Sequence, residues 1–182
     1  QLNTKVQTMN EKYLDLLHCP EDSSDLNHKN IKCIDGEIVS AELICKTCNK
    51  KYKINNGIPN FSSNQSYVRN FGFEWERHSR TQLDNELKYN EDVFFTVTGL
   101  KKSEINGKLF LDAGCGVGRF SKFIQKYGGK VIGVDLSSAV VQANNNLGNF
   151  QEHPHLYYVA GFNKGEKLLP KIIRGRYNVS PL

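Results

Sequence analysis

Long apolar runs are missing from this 182-residue chain. None approaches the roughly 18 residues that a membrane-spanning helix needs. Residues 1–20 lack the charged-then-apolar order of a signal peptide, which leads us to expect a cytoplasmic protein. Methionine and tryptophan occur once each and proline five times. No internal repeat and no low-complexity segment is visible, which excludes solenoid and fibrous classes. The first residue is Gln1 instead of methionine, so a fragment of a longer chain is expected.

Charge of one sign is also in short supply. The net charge of +5 invites a nucleic-acid reading. Yet residues 161–182 alone hold Lys164, Lys167, Lys171, Arg174 and Arg176 against only Glu166. Without that tail, residues 1–160 carry 19 basic and 18 acidic side chains. A nearly neutral body argues for a small-molecule partner over a polyanion. Cysteine, by contrast, is not scarce: there are five, four of them in the first 48 residues. In a cytosolic chain, clustered cysteines mean metal more often than disulfides.

The chain divides by texture into four stretches. Residues 11–61 combine the clustered cysteines with short alternating strands, and "IDGEI" (Ile34–Ile38) is an Asp-Gly hairpin signal. Residues 62–107 open with the polar "SSNQS" and continue through an aromatic segment. There Phe71, Phe73 and Trp75 alternate as if to bury one face, while His78 is a lone histidine among charges. Leu87, Val93, Phe94, Phe95 and Val97 predict a helix over 86–98. Residues 108–160 switch to strand and helix in alternation, and 161–182 form an atypical basic tail.

In that third stretch "KLFLDA" reads as a strand buried on both faces. Val117, Phe120, Phe123, Ile124 and Tyr127 fall at helical spacing, closed by Gly128-Gly129. "KVIGVD" is a second strand. "SSAVVQANNNL" is a second helix with Ser137 or Ser138 as N-cap, and "HLYYVA" a third strand. The order predicts an α/β fold: the N-terminal half of a doubly wound parallel sheet, with right-handed crossovers.

The turn after the first of these strands, "LDAGCGVGRF", carries the chemistry. A dinucleotide fingerprint starting at Gly114 requires glycine at 119, where this chain has Arg119. The pattern is instead Asp112, Gly114, Gly116, Gly118. S-adenosylmethionine has no phosphate to place on a helix N-terminus. Its amine and sulfonium are both positive, and a carboxylate at the strand end favours them. Bare glycines let the backbone approach the methionine part. Asp135, 17 positions past Gly118, is placed to accept ribose hydroxyls, a role common to both cofactor classes. A glycine-rich turn that binds nothing is the bland alternative.

"LDAGCGVGRFS" and "VIGVDLS" resemble the first two motifs of the class I S-adenosylmethionine-dependent methyltransferases, a Rossmann-like fold. The resemblance covers about Lys108 to Ala160. It implies that Asp112, Ala113, Gly114, Cys115 and Gly116 line the methionine moiety, that Asp135 holds the ribose, and that Leu136 borders the adenine. Cys115 itself reads as a small packing residue. Past the third strand the family usually has an acidic residue, where Ala160, Gly161 and Phe162 stand here.

"LLHCPED" and "LICKTCNKKYKINNGIPNF" resemble the small zinc-ribbon module related to the Trm112-like family, often found in front of methyltransferase domains. Tyr52 and Gly57-Ile58-Pro59 match its pattern. The module implies zinc on Cys19, Cys45 and Cys48, with Asp22 standing where a fourth cysteine is usual. A carboxylate can serve zinc; His18, His28 and Cys33 are alternatives. A metal-free fold held by the hairpins and Leu16, Leu17, Ile44 and Ile58 stays open.

The resemblance implies methyl transfer from S-adenosylmethionine, and the nearly neutral body leads us to expect a small metabolite or lipid-like acceptor and no membrane partner. A ribosomal-RNA methyltransferase with an N-terminal zinc ribbon, or a non-catalytic binding module, is the alternative. Because residues 161–182 show no strand pattern, the sheet is expected to stop after three strands. The edge of "KLFLDA" would then be unpaired and the chain an inactive, truncated piece.

Overall fold

A computed structural model of the chain describes residues 8–61, 87–135, 137, 139–147, 156–159 and 179–181. The aromatic segment with Phe71, Phe73, Trp75 and His78, and the expected adenine neighbour Leu136, lie outside them.

The N-terminal region is built from tight hairpins. Asn10 caps a short 3-10 turn, Glu11–Leu16, by accepting the Lys12 amide at 3.1 Å. Strands β1 (Leu26–Ile34) and β2 (Glu37–Cys45) pair antiparallel through Asp35-Gly36, as the sequence predicts. Both turn residues have positive φ, 51° and 79°, which a two-residue hairpin of matching twist requires. A second such turn at Asn56-Gly57 joins β3 (Lys51–Asn55) to β4 (Ile58–Asn60). Gly57 has a further constraint there, because an added Cβ would lie 2.5 Å from the Thr8 carbonyl carbon. Along β2 the buried residues Ala41, Leu43 and Cys45 alternate with half-exposed ones, the mark of a sheet with one covered face.

Helix α1 (Leu87–Thr98) leads into the parallel region: β5 (Leu109–Ala113), α2 (Ser121–Lys126), β6 (Lys130–Asp135), α3 (Ala139–Leu147) and β7 (Leu156–Val159). Strands β5, β6 and β7 run parallel. Period-two alternation splits their side chains between two cores. Phe110 and Val131 join Phe94, Ile105, Phe123 and Ile124 on the side of α1 and α2. Ile132 and Val134 join Met9, Tyr13, Leu16, Leu17, Ile54 and Phe61 of the N-terminal hairpins, with Leu109 and Leu111 against them. The hairpin region and the parallel strands therefore share one core. They also share one eight-stranded sheet, in the order β1-β2-β3-β4-β7-β6-β5-β8, stitched by a parallel bridge between Asn60 and Val159.

One expectation is overturned. The sheet does not stop after three parallel strands, because β8 (Val179–Pro181) pairs parallel to β5, Leu109 to Val179 and Leu111 to Pro181. The edge of "KLFLDA" is thus covered. β8 is only three residues long and ends at Pro181, which has no amide hydrogen to give a further partner. A proline is tolerated on such an outermost strand, and a segment this short carries no readable alternation.

Candidate cofactor site

The parallel strands deliver two carboxylates to one end of the sheet on the helix-facing side. Asp112 lies opposite Gly133 and its side chain is buried, accepting a 2.6 Å hydrogen bond from Ser121 Oγ at the start of α2. Burial pushes its pKa up, the Ser121 bonds partly offset this, and the nearby Asp135 charge adds to the rise. A cation held there would relieve both effects.

Asp135 ends β6 and organises the loop around it. One oxygen accepts the Gly116 amide at 2.9 Å. The other accepts the Ser137 amide at 2.8 Å and its hydroxyl at 2.7 Å. Ser137 Oγ in turn accepts the Ala139 amide at 3.2 Å, capping α3. An ionised carboxylate offers about four acceptor sites, so roughly one is left for a ligand hydroxyl.

Between them the backbone makes the turn that the glycines permit. Gly114, Gly116 and Gly118 have φ of 85°, 50° and 84°, a region costly for residues with a Cβ. The Gly114 and Cys115 amides both donate to Val134 O, at 2.7 and 3.0 Å, which pins the loop to β6. Nothing lies within 4 Å of a Cβ built on Gly116, so that glycine faces open space. Gly118 is different: a Cβ there would lie 2.6 Å from Leu147 Cδ1 and 3.3 Å from Ala143 Cβ. The third glycine thus serves the close approach of α3. Cys115 is buried with Ile58, Val140, Ala143 and Leu147, and burial pushes its thiol well above the ordinary range. Its neighbours make it a packing residue of the loop.

Arg119, the residue that breaks the dinucleotide spacing, donates through Nη2 to Asn90 Oδ1 on α1. The sequence gives no sign of that contact, since 29 positions separate the two.

A second cluster lies in the hairpin region. The ligand atoms of Cys19, Asp22, Cys45 and Cys48 all fall within 4.8 Å of one another. Cys19 Sγ is 3.6 Å from Cys48 Sγ, and Cys45 Sγ is 3.5 Å from both Asp22 oxygens. Zinc–sulfur bonds of about 2.3 Å in a tetrahedron imply ligand separations near 3.8 Å, so the donor set fits zinc. The Thr47 and Cys48 amides both donate to Cys45 Sγ at 3.3 Å, and Tyr52 Oη is 3.5 Å from Cys19 Sγ. Burial pushes the Cys45 thiol up, but the Cys48 and Thr47 amides outweigh it and its pKa falls. Of the alternatives, His18 is turned to the Leu16 carbonyl (3.2 Å) and Asp25 (3.5 Å), while His28 and Cys33 are exposed on β1. None of the three joins the cluster.

Residues 111–164 match the methyltransferase domain family, which is less than half of the chain. This stretch of the chain is thus similar to a domain found in enzymes that transfer methyl groups. Among solved structures, similar ones include a magnesium protoporphyrin IX methyltransferase from Synechocystis with bound S-adenosylhomocysteine. It is 20% identical, covers 54% of this chain and 52% of its own, and has a TM-score of 0.42. A TehB-like S-adenosylmethionine-dependent methyltransferase from Corynebacterium glutamicum is 23% identical over 54% and 47%, with a TM-score of 0.35. A putative RNA methyltransferase from Pyrococcus horikoshii is 26% identical over 39% and 34%, with a TM-score of 0.33. The chain therefore spans between a third and about half of the length of these proteins. No curated protein matches it. Among the described residues, no helix is long and apolar enough to cross a membrane.

Proposed function

We propose that the chain binds S-adenosylmethionine at the loop from Asp112 to Gly118 and belongs to an enzyme that moves its methyl group to a small-molecule acceptor. The observation that carries this reading is the pair of carboxylates at the strand ends, one on each side of a glycine turn in which Gly116 faces open space. Bound there, S-adenosylmethionine would supply an already activated methyl, so the protein's task is to position and desolvate. Asp112 would hold the amine, and the loop backbone from Ala113 to Gly116 would pass along the methionine chain. Asp135 would accept a ribose hydroxyl at its free acceptor site. To take both hydroxyls it must release its bond from Ser137 Oγ. Leu136 would border the adenine.

The near-neutral charge of residues 1–160 supports a small acceptor over RNA. In the hairpin region, Cys19, Asp22, Cys45 and Cys48 would hold a structural zinc in a module of the Trm112-like kind. All four positions would be filled by protein, leaving none for catalysis.

Isothermal calorimetry with S-adenosylmethionine tests the cofactor reading. Asp135→Ala removes a charge-assisted bond worth roughly 1.5–3 kcal/mol, so affinity should fall at least about tenfold. A variant that binds as well as the parent would sink the assignment.

A further inference from the structure

The amino-acid end of the proposed cofactor is a zwitterion, and the two aspartates of the site answer only its positive half. A carboxylate brought into a partly buried site needs a cationic or multiple N–H partner. From Leu111 to Ser121 the sequence holds one cation, Arg119.

Its surroundings leave that cation in want of an anion. Arg119 lies in the turn between Gly118 and α2, with its guanidinium carbon 5.7 Å from the Phe120 ring centroid. Its Nη2 donates to the neutral amide oxygen of Asn90. Its Nε is buried and has no hydrogen-bond partner. No ion pair among the described residues includes it. The acid nearest in sequence to that contact, Glu91, is engaged by Lys102, Lys126 and Tyr127. An orphaned, buried guanidinium N–H is costly unless something else meets it. A carboxylate is the group whose shape and charge match the guanidinium fork.

Resting on the cofactor reading above, we propose that Arg119 binds the carboxylate of the S-adenosylmethionine amino-acid end, with Asn90 of α1 orienting its guanidinium. Asp112 and Arg119 then divide the zwitterion between them, the acid on the amine and the base on the carboxylate. The arginine that spoils the dinucleotide spacing becomes a specificity residue for an amino-acid-bearing ligand.

Calorimetry with two ligands tests this: S-adenosylmethionine and its decarboxylated analogue, which keeps the amine and sulfonium. Arg119→Gln should weaken S-adenosylmethionine by tenfold or more and change the decarboxylated analogue by less than threefold. Arg119→Lys keeps the charge without the fork, and should lose several-fold affinity for the carboxylated ligand only. Should the glutamine variant fail to fold, the affinity ratio of the lysine variant decides. Lys122→Gln, a control at the second residue of α2, should leave both affinities unchanged. An unaltered ratio in the arginine variants, an equal loss of both ligands, or the loss appearing at Lys122 would overturn the proposal. If the wild-type chain binds neither ligand, the cofactor reading itself falls, a separate and distinguishable result.

Discussion

Glu91 shows how one side chain can tie three segments together. It lies on α1 and accepts from Tyr127 and Lys126 at the end of α2, and it pairs with Lys102 at 3.1 Å. Lys102 in turn sits over the rings of Phe95 and Tyr127, at 5.4 and 5.1 Å. The Lys126 ammonium first, and the Tyr127 hydroxyl next, hold the Glu91 carboxyl down at about 2. A depressed folded-state pKa contributes stability that is complete above the ordinary carboxylate range of about 4.3. That contribution is lost as pH falls through the folded value. Glu91→Gln should therefore flatten the acid limb of the stability profile between about pH 4.3 and 2. At neutral pH it should cost on the order of 1 kcal/mol after solvent screening. Chemical denaturation across that range checks it, and parallel profiles for the two proteins would contradict the role given to Glu91. No residue pattern forecasts this hub, because its members come together only when α1 packs on α2. The glycine turn after β5 was legible for the opposite reason: the positive φ of Gly114, Gly116 and Gly118 is a local backbone property.

At the scale of elements, hairpins and helices were readable where a turn residue or a periodic face marked them. Asp35-Gly36 marks the β1–β2 turn. Asn56-Gly57 marks the β3–β4 turn equally well. The helix expected over 117–127 begins only at Ser121, since the positive φ of Gly118 and the turn through Phe120 delay it. β8 escaped because three residues carry no period, and its existence depends on the tertiary edge of β5. Hydrogen exchange should find the Ser180 amide protected along with those of β5. Exchange of Ser180 as fast as in an unfolded peptide would argue that the edge is open after all.

The cluster of Cys19, Asp22, Cys45 and Cys48 belongs to the same scale, since it brings the turn after Leu17 against the end of β2. Freshly purified protein should carry about one equivalent of zinc. Cys48→Ser should lower that content and the melting temperature together. Asp22→Cys should retain the metal, because sulfur is the commoner fourth ligand. Less than a tenth of an equivalent in the wild type would favour a hairpin region held by Tyr13, Leu16, Leu17 and Leu43 alone.

For the molecule as a whole, the shared core is what the sequence could not announce. Texture divides the chain at residue 61, yet Ile132 and Val134 of the parallel sheet pack with Met9, Tyr13 and Phe61, and Ile58 packs with Cys115 of the glycine loop. Composition changes are local, whereas the burial of a sheet face is decided by whatever segment returns to cover it. The account nevertheless stands on one site, the glycine turn between Asp112 and Asp135. Its most direct test is calorimetry of the 182-residue chain against S-adenosylmethionine and NAD in parallel. The account predicts saturable one-to-one binding of S-adenosylmethionine and no detectable heat with NAD. Binding of NAD, or silence with both, would contradict it.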